Sequence, residues 1–166
     1  MKPPLKNIKA DDFQTPPEAL KPLLPYLKKD WIIWECACGR GKLVDVLRSY
    51  DFSVIDTDIL GGIDFLDWCP SCFNCIITNP PYSLKQEFLK RCYELEKPFA
   101  LLLPLTALET QKRQKLFKEY GLEVIFLPKR VNFETPSGKG SGSWFAVAWF
   151  TWGLNIGKEL NFNGKT

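Results

Sequence analysis

The feature that most constrains the fold is a short apolar run that ends in a rigid corner. Cys75-Ile76-Ile77 is followed by Thr78, then by Asn79-Pro80-Pro81-Tyr82-Ser83. The apolar run reads as a buried strand. Two consecutive prolines donate nothing to a sheet and fix φ, so the backbone beyond the strand is stiff. In open α/β sheets, ligands sit outside the carboxyl ends of the strands. The corner supplies a side-chain amide at Asn79, a carbonyl at Pro80 and an aromatic ring at Tyr82. These groups can accept hydrogen bonds from a flat amino group and stack on its ring. The plainer alternative is a proline turn that closes a strand.

The rest of the chain supplies the other elements of such a sheet. Residues 31–35, Trp-Ile-Ile-Trp-Glu, read as the first strand. They run into Cys36-Ala37-Cys38-Gly39-Arg40-Gly41 and an amphipathic helix over residues 42–50, with Leu43, Val46 and Leu47 inward. Strand, glycine turn and helix bring backbone close to a nucleotide-like ligand. Phe52-Ser53-Val54-Ile55 is the second strand and leads to Asp56 and Asp58, about twenty residues after the glycine turn, a placement suited to ribose hydroxyls. Gly61-Gly62 then precedes Asp64-Phe65, where Asp64 can cap a helical turn.

Ser83 is placed to cap a helix reaching residue 97. Residues 99–103 form a continuous apolar strand, as in a parallel sheet covered on both faces. Residues 109–120 read as a basic amphipathic helix that exposes Lys112, Arg113, Lys115 and Lys118. Residues 122–127 and 143–152 are further strands, separated by a Lys/Gly/Ser-rich loop that contains Phe133. The absence of a helix between these last two predicts an antiparallel strand at the end of a mostly parallel α/β sheet. Upstream, Thr15 is placed as an N-cap, Pro16 at the first helical position and Glu18 in a capping box. Pro22 and Pro25 are expected to split the helix that they enter.

With 166 residues, the chain is long enough for one domain with a core of its own. It is read as a loose arm over residues 1–11, one domain over 12–153 and a polar tail over 154–166, with no second-domain linker visible. The 45% hydrophobic content excludes a disordered chain. No apolar run reaches membrane-span length, and Met1-Lys2-Pro3-Pro4 lacks the apolar core of a signal peptide, so a cytoplasmic protein is expected. The formal net charge of +3 permits a nucleic-acid partner without demanding one. The chain has no histidine, which removes that residue from every catalytic and metal role. Cys69, Cys72 and Cys75 have ligand-like spacing, but Cys75 opens the buried strand, so reduced thiols and no metal are expected.

Taken in order, Thr15-Pro16-Pro17, Glu35 with Gly39 and Gly41, Asp58, Asp64-Phe65 and Asn79 to Tyr82 resemble the motifs of the N6-adenine methyltransferases that use S-adenosyl-L-methionine (AdoMet). Lys129-Arg130-Val131-Asn132-Phe133 with Ser143-Trp144 resembles the small phage-type members. The resemblance implies a Rossmann-like AdoMet-dependent methyltransferase fold. It implies AdoMet held by Thr15, Pro16, Glu35, Ala37, Gly39, Gly41, Asp58, Ile59, Asp64, Phe65 and Asn79. Among these, Glu35 helps hold the amino acid moiety, Asp58 rather than Asp56 takes the ribose, and Asp64 and Phe65 meet the adenine. It implies a catalytic corner of Asn79, Pro80, Pro81 and Tyr82, with Phe133 on the far side of an acceptor base. The partner is then a nucleic acid, DNA ahead of RNA, with a partner protein as a candidate source of sequence specificity.

Two rivals stand beside this reading. The same corner could hold a protein glutamine or an RNA base amine. Alternatively, a degenerate Rossmann-like domain could bind nucleic acid without catalysis, and it would not bind AdoMet.

Overall fold

The structure, a computed structural model, describes residues 14–135, 138–139 and 145–162. The loose arm expected over residues 1–11 and the pair Ser143-Trp144 lie outside them. Among the described residues, nine strands form in chain order: β1 (Ile32–Glu35), β2 (Ser53–Asp56), β3 (Cys75–Thr78), β4 (Phe99–Pro104), β5 (Glu123–Phe126), β6 (Glu134–Thr135), β7 (Gly138–Lys139), β8 (Val147–Trp152) and β9 (Leu160–Phe162). Seven of them make one sheet in the order β2-β1-β3-β4-β8-β5-β9, and β6 and β7 pair as a small hairpin.

The pairs β1–β2, β1–β3 and β3–β4 are parallel. The chain leaves β1 for β2 on one side and then returns for β3 on the other, so the strand order reverses at β1. That reversal opens a crevice at the carboxyl ends of β1 and β3. The antiparallel strand, expected at the end of the sheet, is β8, and it lies inside, between β4 and β5. Its burial explains the position: Val147 to Phe150 are all buried, which an edge strand would not allow. The tail also carries structure. Its β9 pairs in parallel with β5, and Phe162 stacks on Phe126 at 4.6 Å.

Strand side chains alternate between the two faces of the sheet. Ile33, Ile77, Leu102 and Trp149 enter one cluster with α2 (Lys42–Ser49), through Leu43, Val46 and Leu47. Trp34, Ile76, Leu101 and Phe150 enter the other with α3 (Lys85–Glu94), through Phe88, Leu89, Cys92 and Tyr93. The N-terminal segment is fastened to the first layer where Trp149 Nε1–H donates to the Ala19 carbonyl at 2.7 Å, a buried bond between residues 130 positions apart.

Several local expectations need correction. Helix α1 is only Pro17–Leu20, with Pro16 at its N-cap position and no side-chain cap; Thr15 lies one residue outside and is buried. Pro22 and Pro25 do prevent a longer helix, leaving a 3-10 turn over Leu24–Tyr26. Ser83 does not cap α3, because it sits inside a 3-10 turn, Tyr82–Leu84, that precedes the helix. In α4 (Gln111–Tyr120), Arg113 is 7% exposed, not part of a solvated basic face. Its Nε donates to the Ala107 carbonyl at 2.7 Å and closes the turn before the helix.

Candidate active site

Glu35 ends β1 and is 2% exposed. Its Oε1 accepts from the Ala37 N–H at 3.1 Å. Burial drives the carboxyl up to about 8, the negative charges of Asp58 and Asp56 add to the rise, and the Thr78 hydroxyl and Ala37 N–H oppose it. The turn after Glu35 needs glycine: Gly39 and Gly41 have φ of 51° and 81°, and Gly41 occupies the N-cap position of α2 in the left-handed region.

The turn is tied to the end of β2. Cys38 N–H donates to the Thr57 carbonyl at 3.1 Å, and Thr57 N–H donates to the Glu35 carbonyl at 3.0 Å. Trp34 Nε1–H donates to the Thr57 hydroxyl at 2.9 Å. Asp58 completes the join: its Oδ2 accepts from Gly39 N–H at 2.8 Å and its Oδ1 from Leu60 N–H at 2.9 Å. Asp56 is occupied differently, by an exposed ion pair with Arg48 at 2.8 Å. The two strand-end carboxylates are thus separated by environment. Asp58 belongs to the glycine turn, and Asp56 faces solvent. Ile59, beside Asp58, is 49% exposed.

At β3 the apolar strand ends in the corner foreseen from its prolines. Asn79 is half-buried and Pro80 buried. Leu84 N–H donates to the Pro81 carbonyl at 2.9 Å and Lys85 Nζ to the Tyr82 carbonyl at 3.2 Å, which fixes the turn after the corner. The half-buried Tyr82 ring meets Phe145 edge-on at 5.7 Å.

One small cleft at the β1–β3 crevice is lined by Gln14, Thr15, Glu35, Ala37, Cys38, Leu43 and Asn79. It brings together four residues singled out in the sequence: Thr15, Glu35, Ala37 and Asn79. Gly39 and Asp58 flank it through the bonds just described. Gln14, Cys38 and Leu43 were not foreseen. Gln14 is buried next to Thr15, and a polar side chain beside an expected contact was the only sign of it in the sequence.

The expected adenine contacts, Asp64 and Phe65, are not among the residues that line this cleft. Phe65 is 2% exposed, and its ring is packed between Trp34 at 5.2 Å and Phe88 at 4.6 Å. Asp64 Oδ1 accepts from Leu66 N–H at 2.9 Å, a capped turn that leaves the carboxylate further acceptor sites. Phe133 is 5% exposed and reaches the corner through Phe145, which stacks on it at 6.5 Å. Of the cysteines, Cys69 and Cys72 are exposed while Cys75 is buried with its thiol pushed far up by burial, so the three do not face one another as ligands. Among the described residues, no group of three or more metal-ligating side chains is arranged to hold an ion.

No family model matches the chain, and no curated protein resembles it in sequence. Solved structures do resemble it in fold. One is assigned as the modification subunit of a type I restriction enzyme from Vibrio vulnificus YJ016, with 14% identity and a TM-score of 0.54 over 86% of this chain and 44% of that one. This chain therefore spans less than half of that protein's length. Another, from Pyrococcus horikoshii, is assigned as an RNA methyltransferase, with 11% identity and a TM-score of 0.51 over 84% of each chain. The chain has a Rossmann-like α/β fold, shared with these two structures. Among the described residues no helix is long and apolar enough to cross a membrane.

Proposed function

We propose that this chain is an AdoMet-dependent N-methyltransferase whose acceptor is an exocyclic amine, adenine N6 in DNA before any other. One observation carries the reading: a buried carboxyl at the end of β1 and Asn79, the first residue of the Asn-Pro-Pro-Tyr corner at the end of β3, line one cleft where the strand order reverses. The donor set suits AdoMet. Glu35 would take the ammonium, the glycine turn would let the chain approach closely, and Asp58 would take the ribose. A carboxylate has about four acceptor sites, so Asp58 can hold its two backbone N–H groups and still accept from hydroxyls. Thr15 and Gln14 close the same cleft from the N-terminal side. Phe65 would support the cofactor pocket from behind rather than as an adenine platform.

AdoMet would supply an activated methyl group, so little acid–base help is required of the protein. The acceptor amine is a poor nucleophile because its lone pair is delocalised into the ring. Asn79 Oδ1 and the Pro80 carbonyl would accept its two N–H bonds, move electron density to nitrogen and aim it. This is catalysis by orientation and fixed dipoles. Tyr82 would stack on a base lifted out of its helix or strand. The catalytic unit would extend past residue 153 to include β9, which completes its sheet, with selectivity for surrounding sequence supplied by a partner protein.

Transfer of labelled methyl from AdoMet to DNA, RNA and protein in parallel tests the reading. Label in N6-methyladenine of DNA is expected. Label confined to RNA bases or to glutamine would move the acceptor to one of those classes, and no transfer to any polymer would remove the enzymatic reading.

Asp58→Ala is expected to weaken AdoMet by about ten- to hundredfold, the loss of hydrogen bonds to a charged acceptor. Asp56→Ala should change little, because its partner Arg48 is exposed and such pairs contribute about 0–1 kcal/mol. Calorimetry on both variants decides it, and an equal loss at Asp56 would reverse the assignment. Tyr82→Ala is expected to cost about 1–3 kcal/mol in oligonucleotide binding, while Tyr82→Phe stays near wild type because stacking uses the ring. Fluorescence anisotropy with an adenine-containing single strand measures both; a large loss in Tyr82→Phe would assign the work to the hydroxyl.

A further inference from the structure

We propose that the cleft selects a ligand carrying an ammonium group, and that binding such a ligand expels a proton from Glu35 to solvent. The inference rests on the AdoMet reading and adds a proton to its binding reaction. Its basis is a buried carboxyl at the back of the cleft whose charged influences are other carboxylates. The hydrogen bond it accepts comes from a neutral group, the Ala37 N–H.

The groups around it come from every neighbouring element. From the end of β2, Asp56 and Asp58 add negative charge. Arg48, the cation beside them, is paired with Asp56. From β3 and its corner come the neutral Thr78 and Asn79, and from the N-terminal side the neutral Gln14 and Thr15. The thiols of Cys36 and Cys38 in the turn are held protonated chiefly by burial, Cys38 pushed up to about 11. Arg40 and Lys42 belong to the turn and to the first residue of α2, and the largest charged influences on Glu35 are those of the two aspartates. A carboxyl in this setting keeps its proton at neutral pH, and only an incoming cation makes the ionised form favourable.

The balance is simple. Neutral Glu35 and a cationic ligand give an ion pair in the cleft plus one proton in solution. Affinity should then rise about tenfold per pH unit below the free carboxyl's value near 8, and level off above it. An α-amino group itself titrates at about 8, so the window to use is roughly pH 5.5–7.

The test is calorimetry on the full chain at pH 6.5 in buffers of different ionisation enthalpy, with affinities repeated at about pH 5.5 and 7. Two probes are compared: AdoMet, and 5′-methylthioadenosine, which keeps the nucleoside and lacks the amino acid. AdoMet is expected to release close to one proton and to gain about tenfold in affinity per pH unit, while methylthioadenosine does neither. Glu35→Gln should abolish the release. AdoMet binding with no proton release, or equal release with methylthioadenosine, overturns the inference while the methyltransferase reading stands. Failure of AdoMet to bind at any of these pH values overturns both.

Discussion

Asn79→Ala is expected to lower the rate of methyl transfer by about a hundredfold or more while AdoMet affinity changes by less than about tenfold. The magnitude reflects positioned groups at a reacting centre, where the loss of one typically costs about 10²–10³ in rate. Asn79 stands at the end of β3 between two tasks: it lines the cleft shared with Glu35, and it begins the corner that ends in Tyr82. In the proposed mechanism its contribution to the cofactor would be one neutral hydrogen bond among several, worth about 0.5–1.5 kcal/mol. Its contribution to the acceptor would be the orientation of the attacking nitrogen. Single-turnover transfer at saturating AdoMet, alongside calorimetry of the variant, separates the two effects. Full activity in Asn79→Ala would reduce the corner to a turn and remove the proposed mechanism.

The corner was legible in the sequence because proline makes backbone geometry local. Pro80 and Pro81 set their own φ wherever they occur, so a stiff end to the strand needs no tertiary information. The sheet itself was legible for a related reason. Runs such as Phe99 to Leu103 are apolar throughout and must be buried on both faces. Strand order was less accessible. That β8 lies between β4 and β5 depends on which strand it pairs with, and the sequence between residues 127 and 147 carries no helical pattern to announce a crossover.

Side-chain direction was the least legible property. The Phe65 ring turns toward Trp34 and Phe88, where it buries a large aromatic surface, a direction that its place beside Asp64 does not reveal. Arg113 looked solvated by its spacing, yet the carbonyls of Ala107 and Thr106 draw it inward. Periodicity reveals neither outcome, since both depend on residues brought near by the fold. Asp58 and Asp56 show the reverse: two residues apart and chemically identical, they are told apart only by Gly39 on one side and Arg48 on the other.

Glu35→Gln is expected to stabilise the ligand-free protein at pH 8 and to have a much smaller effect at pH 5. Folding carries the carboxyl from 4.5 up to about 8, so the folded state binds its proton more tightly than the unfolded state. The favourable contribution of the protonated group is fully present below about pH 4.5 and is lost as pH rises toward 8. Over that window the unfolded chain ionises while the folded chain keeps its proton. A shift of this size corresponds to roughly 3–5 kcal/mol of stability lost between the two ends. Glutamine does not titrate, and its amide oxygen can still accept from the Ala37 N–H. The stability gained by the variant at pH 8, relative to its gain at pH 5, should therefore approach that figure, on the order of 10 °C in Tm for a chain of this length. Thermal melts of both proteins from pH 5 to 8 measure it, and taking the difference between them cancels every other titrating group. A gain that is the same at pH 5 and pH 8 would show that Glu35 ionises normally in the folded protein. A gain that grows with pH would mean that the fold carries a costly acid at the end of β1, a cost that an incoming cation offsets.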